Sequence, residues 1–340
     1  MRPETAVGPP AARTGQRIVI DGSIAPLVDE AYIGRLVASG VTAVNWTVCS
    51  PWNPFVEAVV EIAAGLELID AHPDELLLVR TAADIHAARE TGRVGMIFGP
   101  QNAPPADVGP HGFRILHELG VRIIQLTYNE RNDYGDGAAE PANAGLTAAG
   151  RWAIGEMNRL GIVVDVSHCG DRTTLEAIDA SAHPVLVTHA NSRALHPSPR
   201  NKTDEQLRAL AARGGVIGIT LWSPMLRFDR RPTIDDFVAH LTYVAELVGI
   251  EHVGIGSDHS DGIPQDEWEG DFGSGGRYPT ITGPAGAWYG YHSRFAERGS
   301  NVTEFPSVIE AIDRLGLSDA EQRGVLGGNF LRVFREVWGS

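Results

Sequence analysis

The chain is poor in cysteine and in basic residues, and both shortages exclude classes of protein. Only Cys49 and Cys169 occur in 340 residues, too few for a disulfide framework, and their neighbours do not form a zinc ribbon. The 28 basic residues are outnumbered by 43 acidic ones, and the formal net charge of −15 disfavours nucleic acid and anionic membrane surfaces as partners. We therefore expect a small-molecule substrate, no nucleic acid and no membrane, in the reducing cytoplasm.

Long apolar runs are also absent from the sequence, so no segment predicts a membrane span. Residues 1–15 are rich in Pro, Gly and Ala without the apolar core of a signal peptide, and we interpret them as a flexible tail. Residues 16–340 predict a single domain. Within it, about 261–300 is a loop insertion rich in Gly, Tyr and Trp that we expect to shape a substrate pocket. Whether the chain forms a homodimer stays open.

Strand-like and helix-like segments alternate along the rest of the chain. Eight short β-branched segments predict strands, at 17–21, 41–48, 94–99, 121–127, 162–166, 185–188, 216–221 and 252–257. This α/β alternation predicts parallel strands with right-handed crossovers, and a (β/α)8 TIM barrel is the preferred architecture. The rival is an open doubly wound sheet, but Asp21-Gly22-Ser23 stands where that fold would carry a glycine-rich phosphate turn. A last helix is predicted over 320–338.

Three of the predicted strands run directly into side chains that can bind a metal or move a proton. His168, His189 and Asp258 each follow such a strand, so a barrel would bring them to the rim where this fold carries its chemistry. Neutral imidazoles are common metal ligands, although each histidine could instead be a buried, hydrogen-bonded core residue. Asp258 could bind a cation, accept a proton or cap a loop. Arg200 could grip a substrate carboxylate or pair with Asp204 on the surface.

Four motifs carry a resemblance that extends over nearly the whole chain. They are Val164-Asp165-Val166-Ser167-His168, Thr188-His189-Ala190-Asn191 leading to Arg200-Asn201, His252 to Asp258, and Gly327 to Phe334. Together they resemble the membrane dipeptidase family, the M19 peptidases. That resemblance implies a barrel of the metal-dependent amidohydrolase type and hydrolysis of a peptide or amide bond in a small carboxylate-bearing substrate. It also implies His168 and His189 as metal ligands, Asp258 as the catalytic base, and Arg200 and Asn201 in substrate binding.

The sequence departs from the family pattern at several ligand positions. Ser23 and Ala25 stand where the family has a histidine and an aspartate, Gln101 replaces a bridging glutamate, and Tyr128 replaces a substrate-contacting histidine. Two adjacent divalent cations need anions around them, so we expect one divalent transition metal, zinc, on His168 and His189 with Gln101 or Asp258. We also expect Tyr128 in substrate binding. A lyase or decarboxylase on the same barrel, or a metal-free pseudoenzyme, are the alternatives.

Overall fold

The strands of the computed structural model, which describes residues 17–284 and 287–339, form one parallel sheet that closes on itself. The predicted tail at 1–15 lies outside the described residues. The nine strands are β1 (Ile20–Ile24), β2 (Ala43–Trp46), β3 (Leu76–Leu78), β4 (Val94–Phe98), β5 (Ile123–Gln125), β6 (Val163–Asp165), β7 (Leu186–Ala190), β8 (Val216–Ile219) and β9 (Val253–Ile255).

The sheet order is β3-β4-β2-β1-β9-β8-β7-β6-β5, and every ladder is parallel. The sheet closes between β4 and β5. A parallel bridge joins Phe98 to Val121, and the backbone N–H of Arg122 donates to the carbonyl of Phe98 over 3.0 Å. Eight of the strands thus form the predicted barrel, with all of their carboxyl ends at one rim.

The ninth strand, β3, was not predicted and corrects the expectation of eight. It is only three residues long and pairs with the first half of β4, from Leu76 opposite Val94 to Leu78 opposite Met96. It fills the edge of β4 that β5 leaves unpaired, at the end of the barrel opposite the carboxyl rim. A segment of three leucines has no period by which a sequence could distinguish a strand from a helix.

Helices follow most strands and cover the barrel. They are α1 (Glu30–Ala38), α2 (Phe55–Ala71), α3 (Ala82–Thr91), α4 (Gly109–Glu118), α5 (Ala148–Leu160), α6 (Asp171–Ala180), α7 (Asp204–Ala212), α8 (Ser223–Leu226), α9 (Ile234–Val248), α10 (Gln265–Phe272), α11 (Pro279–Thr282), α12 (Phe305–Asp313), α13 (Asp319–Arg323) and α14 (Asn329–Trp338). Short 3-10 turns lie at Ala106–Val108, Ile250–His252, Tyr291–Ser293 and Val302–Glu304. None of the helices within 17–284 and 287–339 combines the length and apolarity of a membrane span.

The end of the chain is not the single helix predicted over 320–338. A π-helical turn at Gly324–Gly328 separates α13 from α14. A side chain at Gly327 would place its Cβ 2.8 Å from the carbonyl oxygen of Ile18. Only glycine therefore fits where the turn packs against the backbone at the start of β1.

The last helix, α14, closes the end of the barrel opposite the carboxyl rim. Phe330 and Phe334 are buried with Ile20, Leu186 and Val216 in an apolar cluster inside the strands. A Cβ added at Gly254 would lie 2.5 Å from the Phe330 ring, which shows how closely the ring packs on β9. Among the described residues this end is filled, so the cavity that a ligand could enter lies at the carboxyl rim, beside α10 of the insertion.

Candidate active site

A cavity of about 210 Å³ opens at the carboxyl rim of the barrel. Its wall includes Gln101, Tyr128, His168 and Asp258, four of the residues predicted to form a site, each from a different strand end. His189 lies directly behind this wall and touches His168. The insertion contributes α10, whose residues complete the wall on the outer side.

The two histidines converge through their Nε2 atoms, which are 2.8 Å apart. The partners of their other ring nitrogens fix the protons. His168 Nδ1 donates to the amide oxygen of Asn129 over 2.8 Å. Thr188 uses its one hydroxyl hydrogen on Asp165, so its oxygen accepts from His189 Nδ1 over 2.9 Å. Both Nε2 atoms are then left with lone pairs that point at each other.

The pair is a candidate for holding one cation. Two lone pairs that face each other at 2.8 Å repel unless they share a proton or the rings move apart around a metal ion, and hydrogen bonds that fix Nδ1–H on each ring are the usual support of metal-binding histidines. Burial first, and then the charge of Arg200, hold both imidazole pKa values well below their usual range, which keeps the rings in the neutral form that binds metal. Across the described ranges, however, no three His, Cys, Asp or Glu residues are grouped as a metal site.

A buried carboxylate on β6 holds the second histidine in place. Asp165 accepts from the backbone N–H and hydroxyl of Ser167 and from those of Thr188, over 2.6–3.1 Å. Burial raises the pKa of this carboxyl, and the four hydrogen bonds oppose that rise. Because Thr188 immediately precedes His189, the hydrogen-bonded chain from Asp165 to Thr188 sets the orientation of the imidazole.

Gln101 forms a neutral cluster on the opposite half of the site. Its amide nitrogen donates to the Thr47 hydroxyl over 2.9 Å and to the Ser23 hydroxyl over 3.3 Å. Ser23 is one of the residues that stand in place of expected ligands. Amides and hydroxyls in mutual hydrogen bonds supply none of the negative charge that a second divalent ion would need.

Asp258 has the most strained backbone of the cavity wall. Its φ is +64°, in the left-handed region that residues other than glycine rarely adopt, and such outliers concentrate at functional sites. Hydrogen bonds to the preceding residue help to hold this backbone in place. Asp21 accepts them from the N–H and hydroxyl of Ser257 over 2.8 and 2.5 Å. Burial raises the pKa of Asp258 to about 7, against the opposing charge of Arg200. At neutral pH this carboxyl can therefore both give and accept a proton.

Tyr128 lines the cavity beside His168, with the two rings stacked at a centroid distance of 4.2 Å. The side chain is 7% exposed, and burial raises its pKa well above the usual value, so the phenol stays protonated. Its neutral hydroxyl is available as a hydrogen-bond donor at neutral pH.

Arg200 and Asn201 lie behind the cavity wall, which differs from the substrate contacts expected of them. Arg200 is 1% exposed and donates to the carbonyls of Ser167 and, over 3.4 Å, His189, while its Nε has no partner. The Asn201 amide nitrogen donates to the carbonyls of His196 and Met225, both over 2.9 Å. Sequence spacing shows that these residues follow β7 but cannot show which way they turn.

The sequence reasoning missed Lys202, the only lysine in the chain. It is fully buried, and its Nζ donates to the carbonyls of Val166 and Cys169 over 2.8 and 3.2 Å and to the Thr174 hydroxyl over 3.3 Å. Together with Arg200, it binds backbone on both sides of His168. Burial lowers the pKa of Lys202 to about 7. A lone lysine in an arginine-rich chain was the signal that could have revealed it.

The comparisons with known proteins place the chain in a family. Residues 29–283 match the family described as membrane dipeptidase (peptidase family M19). The chain belongs to this family. Dipeptidase aclJ of Aspergillus oryzae is 30% identical over 276 residues, which cover 79% of this chain and 58% of that protein. An amidohydrolase of solved structure from Pseudomonas aeruginosa is 35% identical, with a TM-score of 0.87 and coverage of 95% of this chain and 97% of the other.

A more distant member of the M19 family shares the fold. Dipeptidase AC, described as a metallopeptidase, is 22% identical with a TM-score of 0.77, and the match covers 96% of this chain and 100% of that one. The chain spans only 58% and 64% of the length of the first two curated relatives it matches. At Ser23 and Ala25, where the resemblance implied two metal ligands, the chain has neither a carboxylate nor an imidazole.

Proposed function

We propose that the chain is a hydrolase that cleaves an amide or peptide bond in a small carboxylate-bearing substrate, such as a dipeptide or an N-acyl amino acid. We further propose one divalent transition ion, zinc, held by His168 and His189 with Gln101 as the third candidate ligand. The observation that carries the proposal is Asp258, a residue with a left-handed backbone and a carboxyl pKa of about 7, in a cavity that His168 also borders.

The residues of the cavity divide the work of hydrolysis among them. A divalent cation supplies Lewis acidity, which polarises a carbonyl or acidifies water. Asp258 accepts the proton of the attacking water and returns it to the leaving amine, and its pKa near neutrality suits both transfers. The protonated Tyr128 hydroxyl donates a hydrogen bond to the substrate, and the aromatic wall around it excludes bulk water.

The test is release of free amine from a panel of dipeptides and N-acyl amino acids by the purified chain, with one equivalent of zinc or with chelator. We expect metal-dependent hydrolysis that falls by about 10²–10⁴-fold in Asp258→Asn. The control is Asp266→Asn, an exposed carboxylate outside the cavity wall. Carbon dioxide release without free amine, or hydrolysis unchanged in Asp258→Asn, would overturn the proposal.

A further inference from the structure

The cavity-facing side of α10 combines carboxylates with aromatic rings. Glu267 and Asp271 are four residues apart, as are Trp268 and Phe272, so one side of this eight-residue helix presents all four side chains. All four line the cavity at the barrel rim. They lie in the insertion, where the sequence alone predicted a pocket-forming loop without saying what it would bind.

The charges around this face are unbalanced. Among the residues that the structure describes, the cavity wall contains Asp258, Glu267 and Asp271 but no arginine or lysine. Neither Glu267 nor Asp271 has an ion-pair partner within 4 Å in 17–284 and 287–339. The wall of the cavity therefore carries acidic side chains and no basic one on the side of α10.

Two arginines approach the aromatic rings without entering the cavity wall. The Arg277 guanidinium lies 5.0 Å from the centre of the Trp52 ring and pairs with Glu130 over 3.0 Å. Arg294 lies 6.0 Å from the Trp268 ring centre. Neither belongs to the wall, although the charge of Asp271 is among the influences that raise the pKa of Arg277.

The rings form a continuous path from α10 to the imidazole pair. Phe272 lies 6.4 Å from Trp268 and 5.8 Å from Trp52, centre to centre. Trp52 lies 5.4 Å from Tyr128, which stacks on His168. A ligand that reaches the histidines can extend along these rings to Glu267 and Asp271. Aromatic faces attract cations, and desolvated pairs of this kind contribute on the order of 2 kcal/mol.

We propose that the α10 face binds a positively charged side chain of the substrate, an ammonium or guanidinium group. This rests on the proposed function only in taking the cavity as the substrate site. It narrows the substrate class to amides and dipeptides with a basic residue. The carboxylates supply the charge complement, and Trp52, Trp268 and Phe272 supply the apolar surface for the side-chain stem.

The test compares L-arginine with L-citrulline as ligands of the purified protein, measured by calorimetry and by tryptophan fluorescence. The two share their α-amine, carboxylate and size and differ in one charge, and neither contains a peptide bond. A failure of hydrolysis therefore cannot imitate a failure of binding. We expect arginine to bind at least tenfold more tightly at low ionic strength, and the preference to shrink with added salt.

The double variant Glu267→Gln, Asp271→Asn should bring the arginine preference below threefold without changing the melting temperature. The matched control is Asp266→Asn, on the same helix but outside the cavity wall, which should keep the preference. Equal binding of arginine and citrulline by the native protein would overturn the proposal, and so would a preference that survives in the double variant.

Discussion

Replacing Lys202 by methionine should change how the stability of this protein depends on pH. Methionine keeps an unbranched apolar side chain of similar length and removes the ammonium group. In the native protein that group is fully buried and bonded to two carbonyls and one hydroxyl, with no carboxylate in hydrogen-bond contact. Burial without a counter-ion is why the pKa of Lys202 falls from 10.5 to about 7.

The direction of the effect follows from proton binding. Below pH 7 the lysine is protonated in both the folded and the unfolded chain, so it contributes no pH dependence. Between pH 7 and 10.5 the unfolded chain binds the proton and the folded chain does not, so the free energy of unfolding rises with pH. A full pKa unit corresponds to 1.36 kcal/mol, which gives a gain of about 2 kcal/mol between pH 7 and pH 9 relative to a chain without this lysine.

The assay is urea unfolding of the native protein and of Lys202→Met at pH 7, 8 and 9. The readout is the difference between their free energies of unfolding at each pH. Subtraction removes the titration of groups that both proteins share. Arg208→Met, at a side chain that is 60% exposed, serves as the control and should show a constant difference. If the free energies of unfolding of the native protein and Lys202→Met change in parallel across this range, the inference that the Lys202 amine is buried without a counter-ion is refuted.

Three further outcomes test the site. Elemental analysis should find at most one transition metal per chain, and none after His168 and His189 are both replaced by alanine; two metals at full occupancy would contradict the two-ligand geometry. The kcat/KM of the native protein should rise with pH through the deprotonation of Asp258 near pH 7, and this rise should be absent in Asp258→Asn. Arg200→Lys should lower kcat/KM by similar factors for substrates with a free carboxylate and for their amides, because Arg200 is buried behind the wall and donates to the carbonyls of Ser167 and His189; a loss confined to the free carboxylates would show that its guanidinium reaches the substrate.

Much of the barrel could be predicted because its strands are buried on both faces and alternate with amphipathic helices. The segment Val163–Asp165, for example, lies inside the predicted strand at 162–166. β3 and the break before α14 could not be predicted, since each depends on what lies beside it: an unpaired edge of β4 for Leu76–Leu78, and the passing backbone of β1 for Gly327. Local pattern holds no information about such neighbours.

In the site, too, the sequence predicts where a residue lies but not which way its side chain turns. The places of His168, His189 and Asp258 at the barrel rim could be predicted because a strand end fixes where its next residue lies. Arg200 follows a strand as well, yet it turns inward to the Ser167 carbonyl, and only the folded chain shows that choice. The α10 face escaped prediction for another reason. Nothing in the sequence distinguishes Glu267 and Asp271 from other surface carboxylates. Only the structure shows that they border the cavity.

The two halves of the site differ in their charge and hydrogen bonding. On the side of β6 and β7, the chain from Asp165 through Thr188 still fixes the proton of His189 and leaves a lone pair for a cation. On the side of β1 and β4, Ser23 and Gln101 are neutral and satisfy each other. Restoring a carboxylate by Gln101→Glu alone would place a buried charge beside two hydroxyls without a cation, at a cost in stability. A single carboxylate at position 101 is therefore expected to destabilise the fold, because Ser23 and Thr47 beside it are also neutral.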